Sequence, residues 1–342
     1  MIPYNNLVMS LNLNSINQTG MIIFTVSTLV FSLAIDVIFS ELPTKIHPVV
    51  IIGFIINFFK NKFIRIKNRL SGLMTVLCVC LVSSVILYFI YLISSVNIYV
   101  LFTVFSVILS STFSVNMLLQ TAVDVKNALD EDISKARQLV SYLVSRNTNE
   151  LTESFIVSAT IESLTENITD SFTAPVFYYM IFPLIIIVFK IPNELFFILL
   201  IPVLYRISNT LDAMLGYKTD ELNDIGYVPA KIDDILNYIP SRITGLFVVM
   251  SAYILKLDGK NAYRIMRRDA RKCPSPNSGY TMATTAGALN IQLIKKDTYI
   301  LGNNNKDIKS DDISKAVRLS KLTISLFTVT IIILTTLVFV IL

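Results

Sequence analysis

The sequence predicts an all-α, polytopic integral membrane protein, with amphipathic helices expected on the cytoplasmic side between its spans. Three observations carry that expectation. Hydrophobic residues make up 54% of the 342 residues and charged residues 15%, against roughly 25% charged in a soluble domain. The apolar residues are gathered into runs: 21–39, 73–93, 98–119 and 322–342 each hold about 20, enough for a helix to cross the hydrocarbon core. Charge is confined to the segments between these runs, with Asp36, near the end of the first, as the exception.

Taken in order, the elements give an orientation. The first twenty residues carry no charge and so lack the basic start of a secretory signal peptide. Residues 48–59 are too short to span comfortably and suit a re-entrant or interfacial segment. Lys60, Lys62, Arg65, Lys67 and Arg69 follow, whereas the turn at 94–97 is uncharged, so the positive-inside rule puts the first loop in the cytoplasm. Residues 120–171 are amphipathic and long enough for three or four short helices. Residues 174–189 and 195–205 are shorter apolar runs interrupted by Pro183 and Pro202, and read as a kinked hairpin turning at 190–194. Segments 206–242 and 256–321 are again polar and basic. Residues 243–255 between them are then expected to dip into the bilayer and return.

Several function classes are excluded. The net charge of +5 follows the loops and argues for orientation, not nucleic-acid binding. A single histidine, His47, rules out a histidine-built metal site. Cys78 and Cys80 lie in an apolar run and Cys273 in a polar loop, so no disulfide framework is indicated. Neither a Walker A loop nor GxGxxG occurs among the ten glycines. Channels and transporters place ionisable groups within their spans; here polar density lies beside the membrane, which favours chemistry at its surface.

Four polar clusters stand out. Glu162, Glu166 and Asp170 recur at i, i+4 and i+8. They suit either a solvated helix face or carboxylates gathered for a cation, and magnesium uses one or two carboxylates with phosphate oxygens and waters. Arg206, Asn209 and Thr210 share a broad helical face with Asp212 to one side, an arrangement equally consistent with a local ion pair. Asp233 and Asn237 are i, i+4 neighbours beside Asp234, between Pro229 and Pro240. Finally Arg264, Arg267, Arg268, Arg271 and Lys272 precede a CPSPNSG loop containing Asn277 and Gly279. Arginine grips phosphate or carboxylate bidentately, but such a run also binds anionic headgroups.

Together these blocks resemble the CobD/CbiB family of cobalamin biosynthesis, the adenosylcobinamide-phosphate synthases. The similarity runs in order from Asp36 to Gly302. It comprises Asp36 with His47-Pro48-Val49 and Gly53; Arg146-x-Thr148 with Leu151; and Glu162-Ser163-Leu164-x-Glu166-Asn167-x-x-Asp170 with Ala174-Pro175. Then come Tyr205-Arg206-x-x-Asn209-Thr210-Leu211-Asp212 with Gly216-Tyr217-Lys218, and Asp233-Asp234-x-x-Asn237 with Ile239-Pro240 and Arg242. Arg268-Asp269-Ala270-Arg271-Lys272, Ser275-Pro276-Asn277-Ser278-Gly279 and Ala286-Gly287-Ala288-Leu289 complete it.

The resemblance implies one membrane domain over 1–342 that joins aminopropanol, or its phosphate, to a propionate carboxyl of adenosylcobyric acid. ATP and Mg²⁺ are the implied cofactors. The bilayer and other corrinoid-pathway enzymes are the implied partners. On this reading Glu162, Glu166 and Asp170 form the cation or amine face, and Asp233 and Asp234 a second metal or base site. Arg206, Arg268, Arg271 and Lys272 hold phosphate or the corrin carboxylate; Asn209, Asp212, Asn237, Asn277, Gly279 and His47 shape the substrate pocket. A non-catalytic scaffold or sensor and a corrinoid transporter are the competing readings. The chain departs from the family pattern at Ser40-Glu41-Leu42-Pro43 and at Ile294-Lys295-Lys296-Asp297, the latter expected to affect a peripheral turn only.

Overall fold

Local chemistry sets where the helices begin. His47 accepts the Val49 N–H through Nδ1 at 3.2 Å, with Pro48 in the first helical position, and so starts α2 (Pro48–Phe63). Asn68 and Asn97 do the same for α3 (Arg69–Ser94) and α4 (Ile98–Ser110). Asp36, near the end of α1 (Gln18–Phe39), accepts the Val115 and Asn116 N–H groups at 3.2 and 3.0 Å. It thereby satisfies two orphan donors at the start of α5 (Val115–Glu131). The exceptional acid of the first span is thus a cap for a distant helix.

The computed structural model describes residues 18–40, 43, 47–144, 147–192, 194–217 and 219–341. Arg146, Lys218, Glu41 and Leu42 of the sequence comparison lie outside them. After α5 come α6 (Ile133–Ser141), α7 (Glu153–Ile168), α8 (Ala174–Phe189) and α9 (Glu194–Leu215). Next are α10 (Tyr227–Leu236), α11 (Tyr238–Ile254), α12 (Gly259–Asp269) and α13 (Gly279–Leu289). A two-stranded antiparallel hairpin, β1 (Gln292–Lys295) and β2 (Tyr299–Gly302), precedes α14 (Ser310–Ile341).

Among the described residues six helices are long and apolar enough to cross a membrane. They are Gln18–Phe39, Arg69–Ser94, Ile98–Glu131, Glu153–Phe189, Glu194–Leu215 and Ser310–Ile341. Large apolar side chains such as Phe31, Phe54, Leu81, Phe89, Ile93 and Leu334 are exposed along the bundle, as a lipid-facing surface requires. The interior is mainly aliphatic, with aromatic contacts set into it. Phe172 packs edge-on between Phe113 and Phe327, with ring centres 5.8 and 6.3 Å away, and the buried Tyr179 donates to the Thr25 carbonyl at 3.0 Å.

Two elements differ from expectation, the long helix and the β-hairpin. Residues 174–189 are the apolar end of a 37-residue helix, because a π turn at Thr169–Thr173 carries α7 into α8 without a break. The hairpin with α9 forms as expected, turning through Lys190 at φ 49°. Residues 243–255 belong to a pair, α10 and α11, bent by 47°, a geometry of either a broken span or the re-entrant segment expected. The hairpin was not legible at all: Gln292–Lys295 and Tyr299–Gly302 are too short to show a strand period.

Candidate functional site

The long helix Glu153–Phe189 brings acidic residues to the polar end of the bundle, and α9, α10 and the loop before α13 complete the enclosure. Between them lies a cavity of about 380 Å³ lined by five carboxylates: Glu166, Asp170, Asp212, Asp233 and Asp234. Asn237, Asn277 and Ser275 also line it. Asp170 stands on the π turn, a distortion often found at functional sites because it re-aims side chains off the helical row.

The acids are held in place by neutral groups. Asp233 is buried and receives Asn237 Nδ2 at 3.0 Å and Asn209 Nδ2 at 3.4 Å, one on each oxygen. Tyr205 fixes the Asn237 amide by donating to its Oδ1 at 2.8 Å. The Tyr205 ring stacks on Tyr178 at 5.5 Å, and Tyr178 donates to the Leu236 carbonyl at 2.8 Å. Asn277 donates to the Asp234 carbonyl at 2.8 Å and receives Arg242 Nη1 at 2.9 Å. The Arg242 guanidinium lies between the Tyr238 and Tyr280 rings, 3.5 and 4.3 Å from their centres. Amides that donate to a carboxylate orient it without supplying a counter-charge. Of the cations, Lys231 lines the cavity and pairs with Asp234 at 3.1 Å.

Seven of the sequence-predicted residues therefore meet in the cavity: Glu166, Asp170, Asp212, Asp233, Asp234, Asn237 and Asn277. Asn209 reaches it through Asp233. The others stand elsewhere. Glu162 does not line the cavity; it accepts Ser158 Oγ at 2.6 Å and Tyr299 Oη at 2.9 Å. An i, i+4 row drifts by about 40° per step, enough to turn Glu162 towards the hairpin while Glu166 faces the cavity. Burial, reinforced by the Glu162 charge, pushes the Tyr299 phenol well above its ordinary range, so it stays a donor. The hairpin is not the peripheral turn expected: Ile294 N–H donates to Ser158 Oγ at 2.9 Å, locking β1 onto α7.

The basic run also goes elsewhere. Arg268 grips the fully buried Asp269 with two hydrogen bonds of 2.7 and 2.6 Å, and binds Asn303 and the Gly302 carbonyl. Lys272 pairs with the same carboxylate at 2.7 Å, and Gly302 N–H donates to it at 2.9 Å. Burial raises the Asp269 pKa, but these donors outweigh it and hold the carboxyl below its ordinary value. Arg271 is exposed and does not line the cavity. Gly279 serves packing, since a Cβ there would lie 2.0 Å from the Ala270 carbonyl oxygen. Arg206 lines an apolar groove beside Pro48, Leu87 and Val107, with Nη1 3.4 Å from Asn209 Oδ1. His47 is a helix cap lining a small crevice with Asp36. Burial pushes the Cys273 thiol up to about 12, which leaves it inert.

Magnesium needs hard oxygen ligands, and the cavity offers carboxylates and amide oxygens. Among the described residues no three acidic, histidine or cysteine side chains converge into a ready-made cage. The set fits a cation that arrives with phosphate oxygens and uses one or two carboxylates.

The family model described as CobD/Cbib protein matches residues 29–320, which include every cavity acid. The chain is 42% identical over 303 residues to the probable cobalamin biosynthesis protein CobD of Methanothermobacter thermautotrophicus, covering 89% of this chain and 95% of that protein. It is 39% identical over 293 residues to the protein of the same name from Methanococcus aeolicus, covering 82% and 88%. With that of Methanocaldococcus jannaschii it shares 37% identity over 298 residues, covering 84% and 92%. No solved structure matches the chain. A multi-pass membrane protein whose match spans the acid cavity and most of its length, the chain belongs to the CobD/CbiB family of cobalamin biosynthesis.

Proposed function

We propose that this protein forms an amide between the amine of aminopropanol, or of its phosphate, and a propionate carboxyl of adenosylcobyric acid, at the expense of ATP. The observation that carries this reading is the convergence of five carboxylates, drawn from α7, the π turn, α9 and α10, on one amide-braced cavity. An ammonium substrate is attracted to such a site and must lose a proton before it attacks. A carboxylate held by amides and buried, as Asp233 is, suits a general base. Mg²⁺, when bound, would supply charge neutralisation for the nucleotide phosphates, with Glu166, Asp170, Asp212 and Asp234 as the candidate holders.

The cavity is proposed to face the cytoplasm. The basic loop that ends at Arg69 lies at the same end of the bundle, since the Arg69 guanidinium covers the Tyr227 ring at 3.7 Å at the start of α10. Positive loops stay inside, and ATP is available there.

The test is turnover by the purified full-length chain in detergent, given adenosylcobyric acid, either amine, ATP and Mg²⁺. The expected result is a corrinoid product heavier by the amine less one water, formed only with ATP. Corrinoid binding without product would contradict the reading and favour a scaffold.

A further inference from the structure

The threonines of the long helix Glu153–Phe189 are of two kinds. Thr160 and Thr165 turn their hydroxyls back onto carbonyls four residues earlier, Ile156 at 2.8 Å and Ile161 at 2.7 Å, the usual way a helix satisfies such a group. Thr169 and Thr173, at the two ends of the π turn, do not. Both hydroxyls are buried, and neither has a hydrogen-bond partner among the described residues. A buried hydroxyl without a partner costs free energy, and a bound ligand that supplies the partner removes that cost.

The two differ in what they face. Thr173 does not line the acid cavity, whereas Thr169, 3% exposed, lines it together with Glu166 and Asp170. Two carboxylates and a hydroxyl are thus offered to one space from a single stretch of helix. A hydroxyl oxygen and an ionised carboxylate both accept hydrogen bonds, and a primary ammonium carries three donors. Its partners stand at about 2.7–3.2 Å. Magnesium instead demands octahedral oxygens at about 2.0–2.1 Å, and no cage of three acidic side chains is preformed among the described residues. We propose that Thr169 is a specificity-determining residue whose hydroxyl accepts one N–H of the ammonium substrate, the other two going to Glu166 and Asp170. Asp212 and Asp234 then remain as the holders of Mg²⁺. The amide-forming reading supplies the identity of the amine; the placement of Thr169 stands on its burial, its unpartnered hydroxyl and the cavity lining.

Calorimetric titration of the detergent-solubilised full chain tests it, with free aminopropanol and MgATP as separate probes. Thr169→Val is expected to weaken aminopropanol by ~10-fold or more, the loss of a hydrogen bond to a charged group. MgATP should bind as before, and Thr169→Ser should keep most of the amine affinity. Thr173→Val, which removes an equally buried hydroxyl outside the cavity, should bind both ligands as the wild type does. In the absence of ligand, Thr169→Val should melt at or above the wild-type temperature, because a methyl replaces an unpartnered hydroxyl. Unchanged amine affinity in Thr169→Val, no binding of aminopropanol by the wild type, an equal loss for MgATP, or a clearly lower melting temperature would overturn the proposal. Turnover measured alongside separates the two claims: a wild type that binds the amine through Thr169 but makes no amide sinks the proposed reaction and leaves the residue's role intact.

Discussion

The acid cavity and the knot around Asp269 are built from the same charged residue types and do opposite things. In the cavity, Asp233 is held by two asparagine amides, and Glu166, Asp170 and Asp212 face the same space. In the knot, Arg268, Lys272 and the Gly302 N–H all converge on one buried carboxylate, which binds the end of the hairpin to α12. In the first region neutral amides orient the carboxylate; in the second, cations pair with it. A basic run in a sequence therefore reports arginine and lysine, not a phosphate site; the partner decides, and here the partner is the next residue along.

The sharpest way to break this contrast is at Asp233. Asp233→Asn keeps the shape and the amide neighbours but removes the base, and should lower turnover by ~10²-fold or more while the protein stays folded. Normal turnover in that variant would move the chemistry out of the cavity. Asp269→Ala should act on stability instead, costing about 2–3 kcal/mol. That is below the cost of breaking a fully buried pair, because Arg268 and Lys272 are half exposed. A thermal melt in detergent reads it, and a variant as stable as wild type would show that the knot carries no structural weight. Smaller again is Tyr299→Phe, which removes one hydroxyl from Glu162 and should cost about 1 kcal/mol. Glu162→Gln keeps one acceptor oxygen and turns the other into an amide donor beside Ser158 or Tyr299; it should leave turnover within about threefold, whereas equal sensitivity at Glu162 and Glu166 would restore the single acidic face.

How legible was this in the sequence? The spans were, because apolar runs near 20 residues are dictated by bilayer thickness. Asp233 and Asn237 were legible as neighbours because i, i+4 on a helix is local geometry, and the structure joins them at 3.0 Å. The division between Glu162 and Glu166 was not. It depends on helical drift and on Tyr299, 137 residues further along the chain. The length of the long helix was hidden by the expectation that polar residues end a span; a π turn instead carries the backbone through Thr169–Thr173. The pairing of Arg268 with Asp269 is hidden in the sequence because the two are adjacent, and i, i+1 residues do not normally face each other on a helix. Here α12 stops at Asp269 and a 3₁₀ turn follows, so the two side chains meet.

The central claim is that the chemistry belongs to the acid cavity and not to the basic segment beside it. Glu166 and Arg271 test it most directly, since both stood out in the sequence and the cavity includes only the first. Amide formation by purified Glu166→Gln should fall ~10²-fold or more, while Arg271→Gln should stay within about threefold of wild type. Equal losses in the two variants, or a larger loss at Arg271, would contradict the account.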